Sequence, residues 1–423
     1  MTVRRLSVIG ATGSIGTQTR DVLRLHRERF RVTGLAAGGN LTELAAQAVE
    51  FSVPAIGLAH PPAADARAAI RSALASEAAR QHLPDPVEVI ETGPEAPARI
   101  AALATDVVLN AVTGAAGLDA TLAALEAGTD VALANKESLI IGGDVVLGAA
   151  AASGAELIPV DSEHSAIAQA LRAGRAEEVS KLIVTASGGP FRGFDREQLE
   201  TVTPEQALAH PTWDMGRVVT TNSAGLVNKG LEVIEAHLLF GIPYDRIDVV
   251  VHPQSQVHSM VEFADGSTIA QVSPPDMRLP IAYALGAGER IGSGAPANDW
   301  TRASTWTFEP VDDEAFPALG LAVEAGRRGG TFPAVYNAAN EVFVDAFHDR
   351  RIPFTGIADG IAAALADHSS RGAADGPAAV QTGSAAGAVA PLTRDAVLAA
   401  DGSARSFAHS WVARHAGEGA ATA

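Results

Sequence analysis

Leu6-Ser7-Val8-Ile9-Gly10-Ala11-Thr12-Gly13-Ser14-Ile15-Gly16 decides the fold. A short apolar strand runs into a G-x-x-G-x-x-G turn, and a helical pattern begins at once. Glycines at this spacing let a backbone approach a pyrophosphate, and the helix N-terminus behind them favours the negative charge. The spacing is common among NADP enzymes. The bland alternative is a plain strand-to-helix turn.

Working outward, apolar strand candidates recur at Leu6–Ile9, Val32–Ala36, Ala55–Leu58, Val87–Ile90, Val107–Asn110, Val131–Ala134 and Leu157–Pro159, with alanine-rich helical stretches between them. Strands alternating with helices predict an α/β, Rossmann-like, doubly wound parallel sheet over residues 1–155. Residues 156–290 read as a central α+β catalytic and dimerisation domain. It holds a strand at Lys181–Ala186, a helix from Ala224 to Phe240, and a hairpin about Ala264-Asp265-Gly266. Residues 291–312 form a linker. Residues 313–423 form a C-terminal helical domain, with helices at Ala315–Ala325, Ala334–Phe347 and Ile357–Ala366, a flexible Gly/Ala/Ser-rich segment at 368–391, and a last helix near Thr393.

The net charge of −18 argues against nucleic acid and anionic membranes as partners, since both need basic patches. No apolar run is long enough to span a bilayer. The first strand begins almost at once, which leaves no room for a leader, and a cytoplasmic protein is expected. With no cysteine in the chain, a metal must be held by oxygen or imidazole. Lysine is scarce: Lys136, Lys181 and Lys229 are the whole set, and two of them follow an asparagine. A lysine kept among arginines can be kept for its compact point charge. Codon bias is the alternative.

The end of the second strand reads Ala36-Ala37-Gly38-Gly39-Asn40. No acid is present to bind the ribose 2′-hydroxyl of NAD, which leaves room for the 2′-phosphate of NADP. Asp161-Ser162-Glu163-His164 follows the strand Leu157–Pro159. In an extended segment the carboxylates at 161 and 163 share a side and call for a cation such as Mg²⁺ or Mn²⁺; solvated loop acids are the competing reading. Asn228 and Glu232 are four apart on one helix face, with Ser223 as a natural N-cap and Lys229 suited to phosphate. Ser187 ends a strand. The stretch His210 to Arg217, with an exposed-looking Trp213, suits a closing loop.

Together, GATGSIG (10–16), NKES (135–138), DSEH (161–164), SGGPF (187–191), HPTWDMG (210–216), NSAGLVNKGLE (222–232), HPQSQVHS (252–259), PPDMRLPI (274–281) and NAANEV (337–342) resemble the 1-deoxy-D-xylulose 5-phosphate reductoisomerase family over residues 3–365. The resemblance implies an NADPH- and metal-dependent conversion of that sugar phosphate to 2-C-methyl-D-erythritol 4-phosphate, for isoprenoid precursors, by a homodimer. It implies cofactor contacts from Thr12, Gly13, Ser14, Ile15, Gly38, Gly39, Asn40, Asn135, Glu137 and Gly216. It places the metal (Mg²⁺ or Mn²⁺, with Co²⁺ as an option) on Asp161, Glu163 and Glu232. Substrate contacts fall to Lys136, Ser162, Glu163, Ser187, His210, Ser223, Asn228, Lys229 and Glu232, of which Lys136, Glu163, Glu232 and His210 are the catalytic candidates. Trp213 would sit in a mobile lid. Gly39 stands where many members carry a lysine near the 2′-phosphate. Two other functions are open to the residues alone: a metal-free NADP dehydrogenase, and a non-catalytic nucleotide sensor.

Overall fold

The computed structural model describes residues 3–62, 65–213, 215–374 and 391–415. The chain begins with β1 (Arg4–Ile9), α1 (Ser14–Leu25), β2 (Phe30–Ala37), α2 (Leu41–Glu50), β3 (Ala55–Leu58), α3 (Ala66–Gln81), β4 (Val89–Thr92), α4 (Ala96–Ala101), β5 (Val107–Asn110), α5 (Leu118–Glu126), β6 (Asp130–Leu133), α6 (Lys136–Ser153), β7 (Leu157–Pro159) and α7 (Ser162–Ala170). It continues through β8 (Val179–Ala186), α8 (Arg196–Glu200), α9 (Pro204–Ala207), α10 (Arg217–Ala224), α11 (Val227–Phe240), β9 (Ile247–Val251), β10 (Val257–Phe263), β11 (Thr268–Val272) and α12 (Arg278–Leu285). It closes with β12 (Glu309–Pro310), α13 (Ala318–Arg328), α14 (Phe332–His348), α15 (Thr355–Ala374) and α16 (Arg394–His415). Two compact units result. The first comprises 1–138, 146–169 and 276–298; the second comprises 139–145, 170–275 and 299–423.

The first unit carries a seven-stranded sheet in the order β4-β3-β2-β1-β5-β6-β7, with every pairing parallel. Strands covered on both faces must be apolar throughout, and β3 and β5 are buried at every residue. The strand order reverses between β1 and β5. A ligand crevice is expected there, beyond the carboxyl ends of the strands. Late in the chain, α12 returns to pack against α1, and Arg4 Nη1 donates to Leu285 O at 2.8 Å.

The second unit is built on a five-stranded sheet, β11-β10-β8-β9-β12, in which β8 pairs parallel with β9 and antiparallel with β10. The hairpin turn at Ala264–Gly266 joins β10 to β11 as the Asp-Gly signal predicts. The helices α14, α15 and α16 pack against one another around Phe343 and Phe347.

The structure corrects the sequence reading in three places. Asp161–His164 is not extended: α7 begins at Ser162, and Asp161 caps it, its Oδ1 accepting from Ser162 N at 2.9 Å and its carbonyl from Ser165 N at 2.8 Å. A short side-chain acceptor followed by an acid in the first turn is a helix-start signature, and it outweighs continuation of the strand. The helix expected over 224–240 is α11, which starts three residues late, at Val227. Ser223 lies in the last turn of α10 and is not a cap; Gly225 ends α10, and Leu226 sits at φ 58° ahead of α11. A leucine there costs about 1–2 kcal/mol, offset by burial of its side chain. The segment 368–391 is helical as far as Ala374, because it continues α15 and side-chain contacts hold it: His368 Nε2 lies 2.9 Å from Thr331 Oγ1, and Arg328 donates to Ser369 Oγ at 2.7 Å. Its residues 375–390 lie outside the described residues.

Gly10 tests the tightness of the β1 turn. Its φ is +86°, and a Cβ there would lie 2.5 Å from the Ala111 carbonyl oxygen. Gly10→Ala is expected to cost about 2 kcal/mol or more, read as a lower urea midpoint; an unchanged midpoint refutes the close approach.

Candidate active site

In the first unit the phosphate turn stands at the strand-order reversal. Gly10 N donates to Ala36 O (2.9 Å), which fastens the turn to β2. A Cβ on Gly16 would run into the carbonyls of Gly10 and Ala11, so the turn closes only without side chains there. Thr12 and Ile15 are half-buried, while Gly13 and Ser14 are exposed. Gly13 is the N-cap of α1 with no side-chain cap, so the first-turn amides present donors to an anion. This arrangement fits a dinucleotide pyrophosphate. Gly38, Gly39 and Asn40 are exposed beyond β2, and Asn40 caps α2 by accepting from Glu43 N at 3.2 Å.

The junction after β6 is fixed by asparagines. Asn135 is buried; its Nδ2 donates to Gly114 O (3.0 Å) and Glu137 Oε2 (2.8 Å), and Ser138 Oγ donates to its Oδ1. Asn110, at the end of β5, donates to Gly117 O (2.9 Å) and Thr121 Oγ1 (2.8 Å). The sequence reading gave Asn110 no role, although an amide closing an apolar strand was the available signal. Next to this junction Lys136 Nζ lies 2.5 Å from Asp161 Oδ2, and Ser162 Oγ donates to Glu163 Oε2 at 2.5 Å. Lys136 is 8% exposed. Burying an ammonium costs several kcal/mol unless a counter-charge is beside it, and Asp161 supplies that partner.

The second unit repeats the device on α11. Lys229 Nζ forms an ion pair with Glu232 Oε2, and Asn228 Nδ2 donates to Glu232 Oε1 at 2.5 Å. Lys229 is 4% exposed and Glu232 1%. The i,i+3 and i,i+4 spacings place all three on one helix face, as the sequence predicts. Gly189, at φ +64°, brings the Ser187-Gly188-Gly189 turn against α10, where its Cβ would lie 2.8 Å from Ala224 Cα. Ser223, Ser187 and Gly216 belong to the same unit; Gly216 is the exposed N-cap of α10.

His210 has its tautomer set by its partners. Its Nδ1 accepts from Thr212 N (3.2 Å) and Trp213 N (3.0 Å), which leaves the proton of the neutral ring on Nε2. Nε2 lies 2.9 Å from Ser187 Oγ, and Gly189 N also donates to that oxygen at 3.2 Å. With two donors aimed at it, the Ser187 hydroxyl keeps its own hydrogen for a further acceptor. Burial holds the His210 imidazole below its ordinary range, in keeping with a neutral ring. Trp213 is half-buried rather than exposed, its ring 6.1 Å from that of His258. His258 is buried, with Nε2 3.1 Å from Ser273 O. It too received no role from the sequence; its motif was quoted without its side chain being placed. Asp214 lies outside the described residues.

A parallel sheet with a glycine-rich phosphate turn, and a buried lysine–carboxylate pair in each unit, point to an enzyme that acts on an anionic substrate with a dinucleotide. Family models narrow that class: 1-deoxy-D-xylulose 5-phosphate reductoisomerase over residues 6–143, its C-terminal domain over 157–240, and the DXP reductoisomerase C-terminal domain over 272–407. The chain is 59% identical over 370 residues to the 1-deoxy-D-xylulose 5-phosphate reductoisomerase of Paenarthrobacter aurescens, covering 87% of this chain and 92% of the relative. It is 56% identical over 410 residues to that of Pseudarthrobacter chlorophenolicus, covering 97% and 98%. Among solved structures, the enzyme from Zymomonas mobilis in complex with NADPH superposes with a TM-score of 0.84 at 39% identity, covering 97% of this chain and 99% of that one. A DOX-P reductoisomerase in complex with NADPH, fosmidomycin and magnesium gives 0.85 at 36%, covering 97% and 98%. The chain belongs to the 1-deoxy-D-xylulose 5-phosphate reductoisomerase family.

Three half-buried histidines of the second unit have a consequence for stability. Burial lowers the pKa of His210, of His348 beside Arg217, and of His368 beside Arg328. The unfolded chain takes up protons near pH ~6.5 while the folded chain resists, so stability falls as pH drops through that value. The melting temperature is expected to decline between about pH 6.5 and pH 5, above the unfolded carboxylate range; a flat profile over that window contradicts the assignment.

Proposed function

We propose that this chain carries out the reaction of its family, the NADPH- and divalent-metal-dependent conversion of 1-deoxy-D-xylulose 5-phosphate to 2-C-methyl-D-erythritol 4-phosphate. One observation carries the site assignment: each unit buries a lysine against a carboxylate that the family pattern reserves for metal, Lys136 on Asp161 and Lys229 on Glu232. Asp161, Glu163 and Glu232 would hold Mg²⁺, with Mn²⁺ and Co²⁺ as alternatives. An all-oxygen carboxylate set suits such hard ions. A divalent ion there supplies Lewis acidity toward substrate oxygens, worth several kcal/mol. Thr12 to Ile15, Gly38 to Asn40, Asn135, Glu137 and Gly216 would hold NADPH, which would be the source of hydride.

The remaining residues bind and orient. Ser187 donates its hydroxyl hydrogen to the substrate phosphate, aimed by His210 and Gly189. Lys229 and Asn228 add a charge and an amide, and Ser223 a hydroxyl. Lys136 and Glu163, with Ser162 against Glu163, handle protons at the reacting carbons. The loop carrying Trp213 would close over the site and exclude water.

Chelation should abolish NADPH oxidation with 1-deoxy-D-xylulose 5-phosphate, and Mg²⁺ should restore it; full activity after chelation would leave a metal-free dehydrogenase. Glu232→Gln is expected to lower turnover at least ~100-fold and to remove the rise in melting temperature that Mg²⁺ gives the native chain. Removing one partner of a buried pair also costs about 3–5 kcal/mol, so Glu163→Gln at a half-buried position is the companion variant.

We also place the protein in the cytoplasm as a homodimer. Among the described residues, no helix is long and apolar enough to cross a membrane. The edge strand β11 exposes three of its five residues, Ile269 among them, and an uncovered edge of this kind invites pairing. Light scattering should give twice the 43.3 kDa chain mass; the mass of one chain would refute the dimer.

A further inference from the structure

We infer that His60 is the side chain that selects NADPH over NADH, by donating to the 2′-phosphate of the adenosine ribose; the inference rests on NADPH being the reductant.

The turn after β2 supplies no charge of its own. Gly38 and Gly39 have no side chains, and the Asn40 side-chain oxygen is occupied as the α2 cap. Glu43 is the acid in the first turn of α2 and could repel a phosphate. Its charge is met by Arg20 Nη1 at 2.7 Å, with Gln47 Nε2 donating to the same oxygen at 2.9 Å. Arg20 is in turn held to Glu50 at 2.5 Å, so its guanidinium is already committed on both sides. A phosphate dianion at this edge therefore needs a donor from another element.

The end of β3 provides one. Ala59 N donates to Ala37 O (3.0 Å) and His60 N to Gly38 O (2.7 Å), which carries the parallel pairing past the strands and sets His60 beside the glycine turn. A Cβ built on Gly39 would lie 4.0 Å from the His60 Cβ and 3.5 Å from its carbonyl oxygen. The His60 side chain thus springs from the place toward which a residue-39 side chain would point. Nothing lies within 4 Å of a Cβ on Gly38, so the approach is open. His60 is exposed, and among the described residues no carboxylate is paired with it. An imidazole can donate in either charge state. A nicotinamide cofactor lacking the 2′-phosphate would leave this donor to water.

The test uses the full-length protein and two probes, 2′,5′-ADP and 5′-ADP, titrated calorimetrically without substrate. The native chain should bind 2′,5′-ADP more tightly. His60→Ala should weaken 2′,5′-ADP about fivefold to tenfold while changing 5′-ADP less than about twofold, which also reports an intact fold. His60→Lys should restore the preference. Arg67→Ala, at the next basic residue along the chain and exposed in α3, should leave it unchanged. Retention of the preference in His60→Ala, or its loss in Arg67→Ala, overturns the assignment to His60. Equal binding of both probes by the native chain would instead remove the NADPH reading beneath it.

Discussion

A carboxylate that water scarcely reaches must be charged by arrangement. Glu232 is in that position. Lys229 and Asn228, three and four residues earlier on α11, both turn their polar ends to it. Desolvating one ion in a protein costs several kcal/mol, and only a partner with good geometry repays it. The rest of the second unit serves this contact. The left-handed step at Leu226 starts α11 afresh, so its first turn carries both the amide and the ammonium. The close approach of Gly189 to Ala224 brings the Ser187 turn up to the end of the preceding helix. Lys136 and Asp161 solve the same problem in the first unit with residues from two different elements.

Polar geometry extends this logic to neutral groups. Two backbone amides on Nδ1 decide which nitrogen of His210 carries the proton, and that in turn decides which way the Ser187 hydroxyl can donate. Burial of the ring works in the same direction, since a charged imidazole would give up the acceptor at Nδ1. Orientation of one hydroxyl is therefore inherited from the backbone of the His210–Trp213 loop.

Much of this was legible in the sequence. Parallel strands buried on both faces leave near-continuous apolar runs, so β1, β3 and β5 fall where the pattern places them. Asn228 and Glu232 could be paired from spacing alone, because a helix fixes i and i+4 together. What escaped was decided by competition between local signals. Asp161 could continue a strand or cap a helix, and the choice rests on the amides of Ser162 and Ser165. Ser223 has the composition of a cap, yet the helix restarts at Val227 because Leu226 adopts a backbone conformation that no leucine advertises. Trp213 looked exposed because its loop is polar, and only the fold sets it against His258. Seven residues of the low-complexity stretch are helical because contacts from Thr331 and Arg328, which no local pattern announces, hold His368 and Ser369 at the end of α15.

The lysine distribution has a chemical corollary. Of the three lysine side chains in the sequence, two are sunk in ion pairs at 8% and 4% exposure. Lys181 alone stands well out, with 37% of its side chain exposed at β8 and Asp248 beside it. An acylating reagent directed at primary amines therefore meets one accessible side chain, on a strand in the interior of the five-stranded sheet. Guanidinium groups are left alone by such reagents, so among side chains acylation would be close to site-selective without any engineering.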